Sequence, residues 1–230
     1  MRTFTTSLQR AALAATVIAA AGPRVEAGPP AICHQFQTAG APSLPWADGP
    51  GWRRPVPGYD LSRLVDETLG LLTPSTPVLA RMETLRRATI YASTDARVAS
   101  ELLSRVLGRA LDGAGGGAVD RLALFDAGYL VESYRQANII YRHDMLRGDD
   151  KRAWVLRDAP RGLDGYSWIV SALEMGPADP DMEFAASRVT EGAASQAHVR
   201  KAMAGARAGT PLSATLADFG YTTAGLARRQ

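Results

Sequence analysis

Cysteine and histidine are scarce in this chain of 230 residues. Cys33 is the only cysteine, and the three histidines are His34, His143 and His198. One cysteine cannot form a disulfide within the chain or supply a cluster of thiolate ligands for zinc. The histidines do not form a His-Glu-x-x-His pair either. The sequence therefore predicts no metal site and no cofactor, and we expect a hydrophobic core to stabilise the fold.

Motifs of common hydrolases, nucleotide-binding proteins and calcium-binding proteins are also missing. No Gly-x-Ser-x-Gly elbow occurs, and neither lysine stands three residues after a serine. The glycines at 113–117 lack the Lys-Ser/Thr pair of a phosphate-binding loop. The acids at 179, 181 and 183 lack the glycine and the final glutamate of a calcium loop. These patterns predict no catalytic residues.

The first 27 residues have the pattern of a secretory signal peptide. Met1 to Arg10 carry two arginines and no acid, and Ala11 to Gly22 form an apolar run. Val25-Glu26-Ala27 then offers small residues at the positions that signal peptidase reads. The apolar run is 12 residues long, whereas a membrane span needs about 20. We predict export to the periplasm or the extracellular space, with cleavage near Ala27 and no membrane span afterwards.

The charge balance argues against nucleic acid as a partner. The whole chain has a net charge of +3, and loss of the leader removes three arginines and one glutamate. The densest basic stretch, residues 135–161, also contains four aspartates, which is typical of a solvated surface of mixed charge. A nucleic-acid interface would instead require a clustered basic face.

An extended N-terminal arm is predicted over residues 28–59. This stretch holds seven of the 14 prolines, five glycines, and the tryptophans Trp46 and Trp52. Proline removes a backbone donor and fixes φ, which argues against a helix or a central strand. We expect the arm to lie across a helical body and bury both indoles. The alternative is that the tryptophans form an exposed recognition platform.

The remaining residues, 60–230, contain the residue patterns that start and end helices. Asp60 can cap the first one, and a cap-then-proline pair recurs at Thr76-Pro77, Asp179-Pro180 and Thr210-Pro211. The longest periodic stretch is 119–141, and further helices are expected over 164–175, 180–191, 195–206 and 211–217. No alternating strands are visible. The sequence predicts an all-α domain, an array of antiparallel helical hairpins.

One predicted hairpin resembles a tetratricopeptide unit. Gly165, Ile169, the Ala172-Leu173 pair and Pro177 match the pattern of that family's second helix, and Ala153 falls where its first helix carries a small residue. The resemblance covers about one repeat, without the family's Trp and Leu-Gly residues and without a clean 34-residue period. It implies a groove that binds peptides or protein partners.

Two groups of residues are candidate sites. On the long helix, Tyr129 lies on an apolar stripe that Glu132 and Gln136 interrupt, with Arg135 beside them. Polar residues on such a face are common in binding grooves, although a rotation of this face toward solvent also explains them. Cys33-His34 is the second group, because an imidazole near a thiol raises the thiolate fraction. Burial of Cys33 as a small apolar residue is the alternative.

These patterns together favour an exported, non-catalytic helical binding or scaffold protein for a peptide or protein partner. Two other functions stay open. One is an enzyme of unrecognised class that uses a carboxylate on the helix at 119–141. The other is a thiol or metal role at Cys33-His34.

Overall fold

The computed structural model describes residues 31–112, 119–146, 156 and 160–221. The predicted leader, the glycine run at 113–117 and Ala153 lie outside this part of the chain. The described residues contain eight α-helices and no β-strand, so the predicted all-α class is confirmed for them. The helices are α1 (Leu64–Leu71), α2 (Val78–Ala92), α3 (Ala96–Asp112), α4 (Arg121–Leu146), α5 (Gly165–Glu174), α6 (Pro180–Val189), α7 (Gly192–Gly205) and α8 (Pro211–Asp218).

Side-chain caps start most of these helices. Asp179 and Thr210 cap α6 and α8 with a proline at the next position, and Asp164 caps α5 by accepting from the amide of Ser167. The carboxylate of Asp95 accepts from two amides of the first turn of α3, and that of Asp120 does the same for α4. Each cap satisfies donors that have no partner inside the helix, which explains why the chain turns into a helix at these residues.

The predicted start of α2 is wrong by one position. Pro77 is itself the N-cap, with ψ at 149°, and the helix begins at Val78. The hydroxyl of Thr76 donates to the carbonyl of Leu71 at 2.7 Å, so it closes the turn after α1 and does not cap α2. Thr76 and Pro77 therefore mark a helix start, but through a different set of hydrogen bonds.

Helix α4 lies at the centre of the molecule. It packs against α2, α3, α5 and α6, and Phe125, Leu130, Val131, Tyr134 and Tyr141 on it have no exposed surface. None of the described helices has the length and hydrophobicity of a membrane span. Four of the described helices are consequently arranged around one long helix.

Two glycines bring α4 and α5 into close contact. A Cβ at Gly128 would lie 2.5 Å from the carbonyl oxygen of Gly165 and 2.9 Å from Cγ1 of Ile169. Such distances are shorter than any real Cβ contact, so the backbones meet only because both residues lack a side chain. The backbone amide of Gly165 also donates to Glu132 Oε1 at 3.0 Å, which joins the start of α5 to the middle of α4.

Candidate functional site

A buried cluster of charged residues lies on α2. Glu83 and Arg86 have side chains with no exposed surface, and Arg87 is 19% exposed. The carboxylate of Glu83 accepts from Arg86 Nε at 2.8 Å, from Arg86 Nη2 at 2.8 Å and from Arg87 Nε at 2.7 Å. One carboxylate thus neutralises two guanidinium groups only in part, and the remaining donors need other acceptors.

The segment 31–59 supplies those acceptors from its backbone. Arg86 Nη1 donates to the carbonyls of Ile32 and Trp52 at 3.3 and 3.1 Å, and Arg87 Nη1 donates to the carbonyl of Leu44 at 2.5 Å. In the reverse direction, the amide of Phe36 donates to Glu83 at 3.1 Å. The charged cluster is therefore complete only when this segment lies against α2.

Tyr91, at the end of α2, continues this pattern of contacts. Its hydroxyl donates to the carbonyl of Pro45 at 2.8 Å and accepts from the amide of Val56 at 2.9 Å. Burial raises the pKa of Tyr91 above its ordinary value. Hence a buried phenol holds two parts of the segment that are eleven residues apart in the sequence.

The two tryptophans of the segment are partly buried and pack against the core. Trp46 meets Tyr91 edge to face at 5.9 Å between ring centroids, and the Arg86 guanidinium lies 5.0 Å from its ring. Trp52 stacks on Tyr141 at 6.4 Å. Aromatic and cation–π contacts of this kind each stabilise the fold by about 1 kcal/mol beyond the effect of the apolar area that is buried.

An open groove lies where the segment ends. It has a volume of about 260 Å³ and is lined by residues 55–59 together with Leu61, Ile90, Tyr91 and Thr94. The rings of Tyr59 and Tyr91 are 4.3 Å apart and form its aromatic wall. Pro57, Gly58 and Thr94 are exposed at its mouth. The groove is mainly apolar, because the hydroxyl of Tyr59 donates to Glu67 at 2.6 Å and that of Tyr91 is engaged by the segment.

The residues predicted on the long helix are brought together, and their contacts are within the protein. Tyr129 is 1% exposed and Glu132 is 7% exposed. Glu132 accepts from Arg135 Nη1 at 2.5 Å, and burial raises its pKa although Arg135 opposes this. Arg135 also donates to the carbonyl of Leu163. The carboxylate thus joins α4 to the chain that leads into α5.

Gln136, the fourth of these residues, bridges two other elements. Its Oε1 accepts from the amide of Ile32 at 3.3 Å, and its Nε2 donates to the carbonyl of Arg188 at 2.6 Å. The same amide side chain therefore contacts the segment 31–59 and the end of α6. Its hydrogen-bonding groups serve the packing of these two elements on α4.

Cys33 and His34 lie at the start of the segment. Cys33 ends a short 3-10 turn and packs partly buried against the core. The imidazole of His34 lies 4.3 Å from the ring of Phe219, and burial lowers the pKa of His34, helped by the positive charges of Arg188 and Arg86. A neutral imidazole on an aromatic ring favours packing of His34 against the residue that follows α8 over thiol activation.

A second buried ion pair joins α2 to α4. Arg81 Nη1 lies 2.5 Å from Asp126 Oδ2, with side chains 2% and 4% exposed. Burial raises the pKa of Asp126 from 3.8 to about 7, although Arg81 opposes this. A cavity of about 20 Å³ beside the pair is lined by Arg109 and Asp120 as well, and it has room for about one water molecule.

Sequence reasoning missed Glu83, Arg86, Arg87 and Tyr91. The apolar residues Val78, Met82 and Leu85 recur every three or four positions along this helix, and all three are buried. The charges at 83, 86 and 87 follow the spacing of a solvated surface, because helix periodicity carries no information about a distant segment that covers them.

Comparisons of the chain with family models, with curated proteins and with solved structures found no match. The similarity to a tetratricopeptide unit stays a prediction.

Proposed function

We propose that this chain is an exported, non-catalytic binding protein for a peptide or for an extended segment of a protein partner. Its helices would form an array of antiparallel hairpins on which the proline-rich arm packs. The observation that carries the proposal is the apolar groove of about 260 Å³ between residues 55–59 and the end of α2. A groove of this volume is near the lower limit for a ligand site, and it suits two or three side chains of an extended peptide.

The chemistry of the groove favours a ligand that contains proline. Two tyrosines form its wall, with ring centroids 4.3 Å apart, and Pro55 and Pro57 form its rim. Proline-rich peptides dock on aromatic grooves because their extended helix loses little conformational entropy on binding. Pro55 and Pro57 of the protein line the same groove as these rings, so a second proline-containing segment would meet the same surface chemistry.

The groove is a better site than the residues on α4. Glu132 and Gln136 use their polar atoms on Gly165, Arg135, Ile32 and Arg188. A ligand at that place would have to replace these bonds, and each buried polar group left unpaired costs about 1–3 kcal/mol. The groove offers apolar surface that a ligand can cover without such a loss.

Export is part of the proposal and has a simple test. The protein recovered from an exporting host should begin at Gly28, as read from its intact mass. Retention of residues 1–27 would contradict the predicted leader.

Binding is tested with a labelled proline-rich decapeptide and the same peptide with alanine in place of proline. Fluorescence anisotropy should show binding of the first and not of the second. Leu61→Ala should weaken binding by about tenfold, because truncation of a central contact costs more than about 1 kcal/mol.

Leu107→Ala is the matched control, since Leu107 is also partly buried and packs on the core but does not line the groove. Equal binding of both peptides, or equal losses in the two variants, would contradict a groove that recognises proline.

A further inference from the structure

Three side chains from consecutive helices form a hydrogen-bonded chain outside the groove. Tyr166 on α5 has its hydroxyl 2.9 Å from Nε2 of His198 on α7. Nδ1 of the same imidazole contacts the carboxylate of Glu183 on α6. Lys201 Nζ, one turn further along α7, lies 3.1 Å from the other oxygen of Glu183.

The direction of these hydrogen bonds follows from the groups themselves. The ionised carboxylate of Glu183 only accepts, so Nδ1 of His198 carries a proton. In the neutral ring Nε2 then has a lone pair, and it accepts from the hydroxyl of Tyr166. The tyrosine is the donor, the imidazole is the base beside it, and the carboxylate orients the imidazole.

The surroundings hold this geometry in place. His198 is 8% exposed, and α6 and α7 pack against each other along their length. Glu183 is 12% exposed at its side chain, so little water competes for the imidazole. Tyr166 is partly exposed and also packs against the core. A hydroxyl hydrogen-bonded to an oriented imidazole base is the arrangement that activates nucleophiles in acyl transfer.

We infer that Tyr166 is a nucleophile that accepts an acyl group from an activated ester, with His198 as its general base. The Tyr166 oxygen forms a bond to the acyl carbon as the bond between that carbon and the leaving oxygen breaks. The phenolic proton passes to Nε2 of His198 and then to the leaving group. The products are O-acyl-tyrosine at position 166 and the free alcohol or phenol. The step ends at the acylated chain without turnover, so it goes beyond the proposed non-catalytic binding function and does not depend on it.

Tyr59 is a control within the same molecule. It is also partly exposed and also donates to a neighbouring side chain, but its partner is the carboxylate of Glu67 at 2.6 Å. Burial and the Glu67 carboxylate raise the pKa of Tyr59. Its hydroxyl therefore has no imidazole base beside it and loses its proton less readily. For both reasons it should be a poor nucleophile.

The experiment treats the full exported chain with 4-nitrophenyl acetate and maps acetylated residues by peptide mass spectrometry. Tyr166 should be acetylated at least about tenfold faster than Tyr59. His198→Gln should lower the rate at Tyr166 by about a hundredfold, the contribution of a general base, without changing the rate at Tyr59. Tyr166→Phe should abolish the signal at this position while leaving acetylation of the exposed Lys201 in place.

The pH dependence of the wild-type rate keeps the inference testable if His198→Gln does not fold. With an imidazole base the rate at Tyr166 should already be high at neutral pH, whereas a rate that depends on ionisation of tyrosine alone should keep rising in alkaline solution. Equal acetylation of Tyr166 and Tyr59, or a rate at Tyr166 that follows the tyrosine profile, would overturn the inference and leave a purely structural network.

Discussion

Glu83 and Arg86 form a two-point ion pair one turn apart on α2, with both side chains withdrawn completely from solvent. The two Arg86–Glu83 distances are 2.8 Å each. The pair faces the segment 31–59 and donates to two of its carbonyls, at Ile32 and Trp52. The attachment of this segment to the helices is thus coupled to a buried charge.

Loss of that charge should destabilise the protein strongly. Glu83→Gln leaves two guanidinium groups, of Arg86 and Arg87, without their shared carboxylate. Removal of one partner of a buried pair typically costs about 3–5 kcal/mol. Urea unfolding followed by circular dichroism should show a loss of this size, and the tryptophan fluorescence, to which Trp46 and Trp52 contribute, should change at lower urea than in the wild type.

An exposed ion pair supplies the control for this prediction. Arg105 Nη2 lies 3.3 Å from Asp66 Oδ1, with side chains 53% and 80% exposed. Asp66→Asn should change the free energy of unfolding by less than about 1 kcal/mol, the usual range for surface pairs. Similar losses in the two variants would mean that burial of Glu83 has no special effect.

The sequence predicted the helices better than it predicted what covers them. Caps such as Asp164, Asp179 and Thr210 act within four residues, so their side chains mark the starts of α5, α6 and α8 from local sequence alone. The contacts of Glu83 and Arg86 reach residues up to 54 positions away. A distant extended segment adds no periodic signal, and for that reason neither the charged cluster nor the groove beside it was predicted.

Stability should depend on pH through Asp126. Burial raises the pKa of Asp126 from 3.8 to about 7, so the folded chain holds this proton more tightly than the unfolded chain. The contribution to stability is then complete below about pH 4 and is lost as the pH rises through 7. Comparison with Asp126→Asn by urea unfolding from pH 4 to pH 8 isolates this contribution.

The difference in unfolding free energy, wild type minus Asp126→Asn, should fall as the pH rises across this range. A difference that instead grows with pH would show that the attraction of Arg81, 2.5 Å away, outweighs burial and keeps Asp126 ionised in the folded chain.

The close contact of α4 and α5 should not tolerate a single methyl group. Gly128→Ala would place a Cβ 2.5 Å from the carbonyl oxygen of Gly165, and overpacking of this kind costs about 1–3 kcal/mol. Gly108→Ala in α3 is the matched variant, since no atom lies within 4 Å of its new Cβ. It should stabilise the chain by about 0.5–1 kcal/mol, because alanine favours a helix over glycine. Thermal unfolding of both variants would reveal opposite signs, and a loss in both would contradict the contact as described.

The most direct test of the binding proposal is an NMR titration of the isotope-labelled chain with the proline-rich decapeptide. We expect the shifted backbone amides to cluster at residues 56–61 and 90–94, around the groove of Tyr59 and Tyr91. Shifts centred on residues 129–136 would place the site on α4 instead, and the absence of any saturable shift would contradict the proposed function.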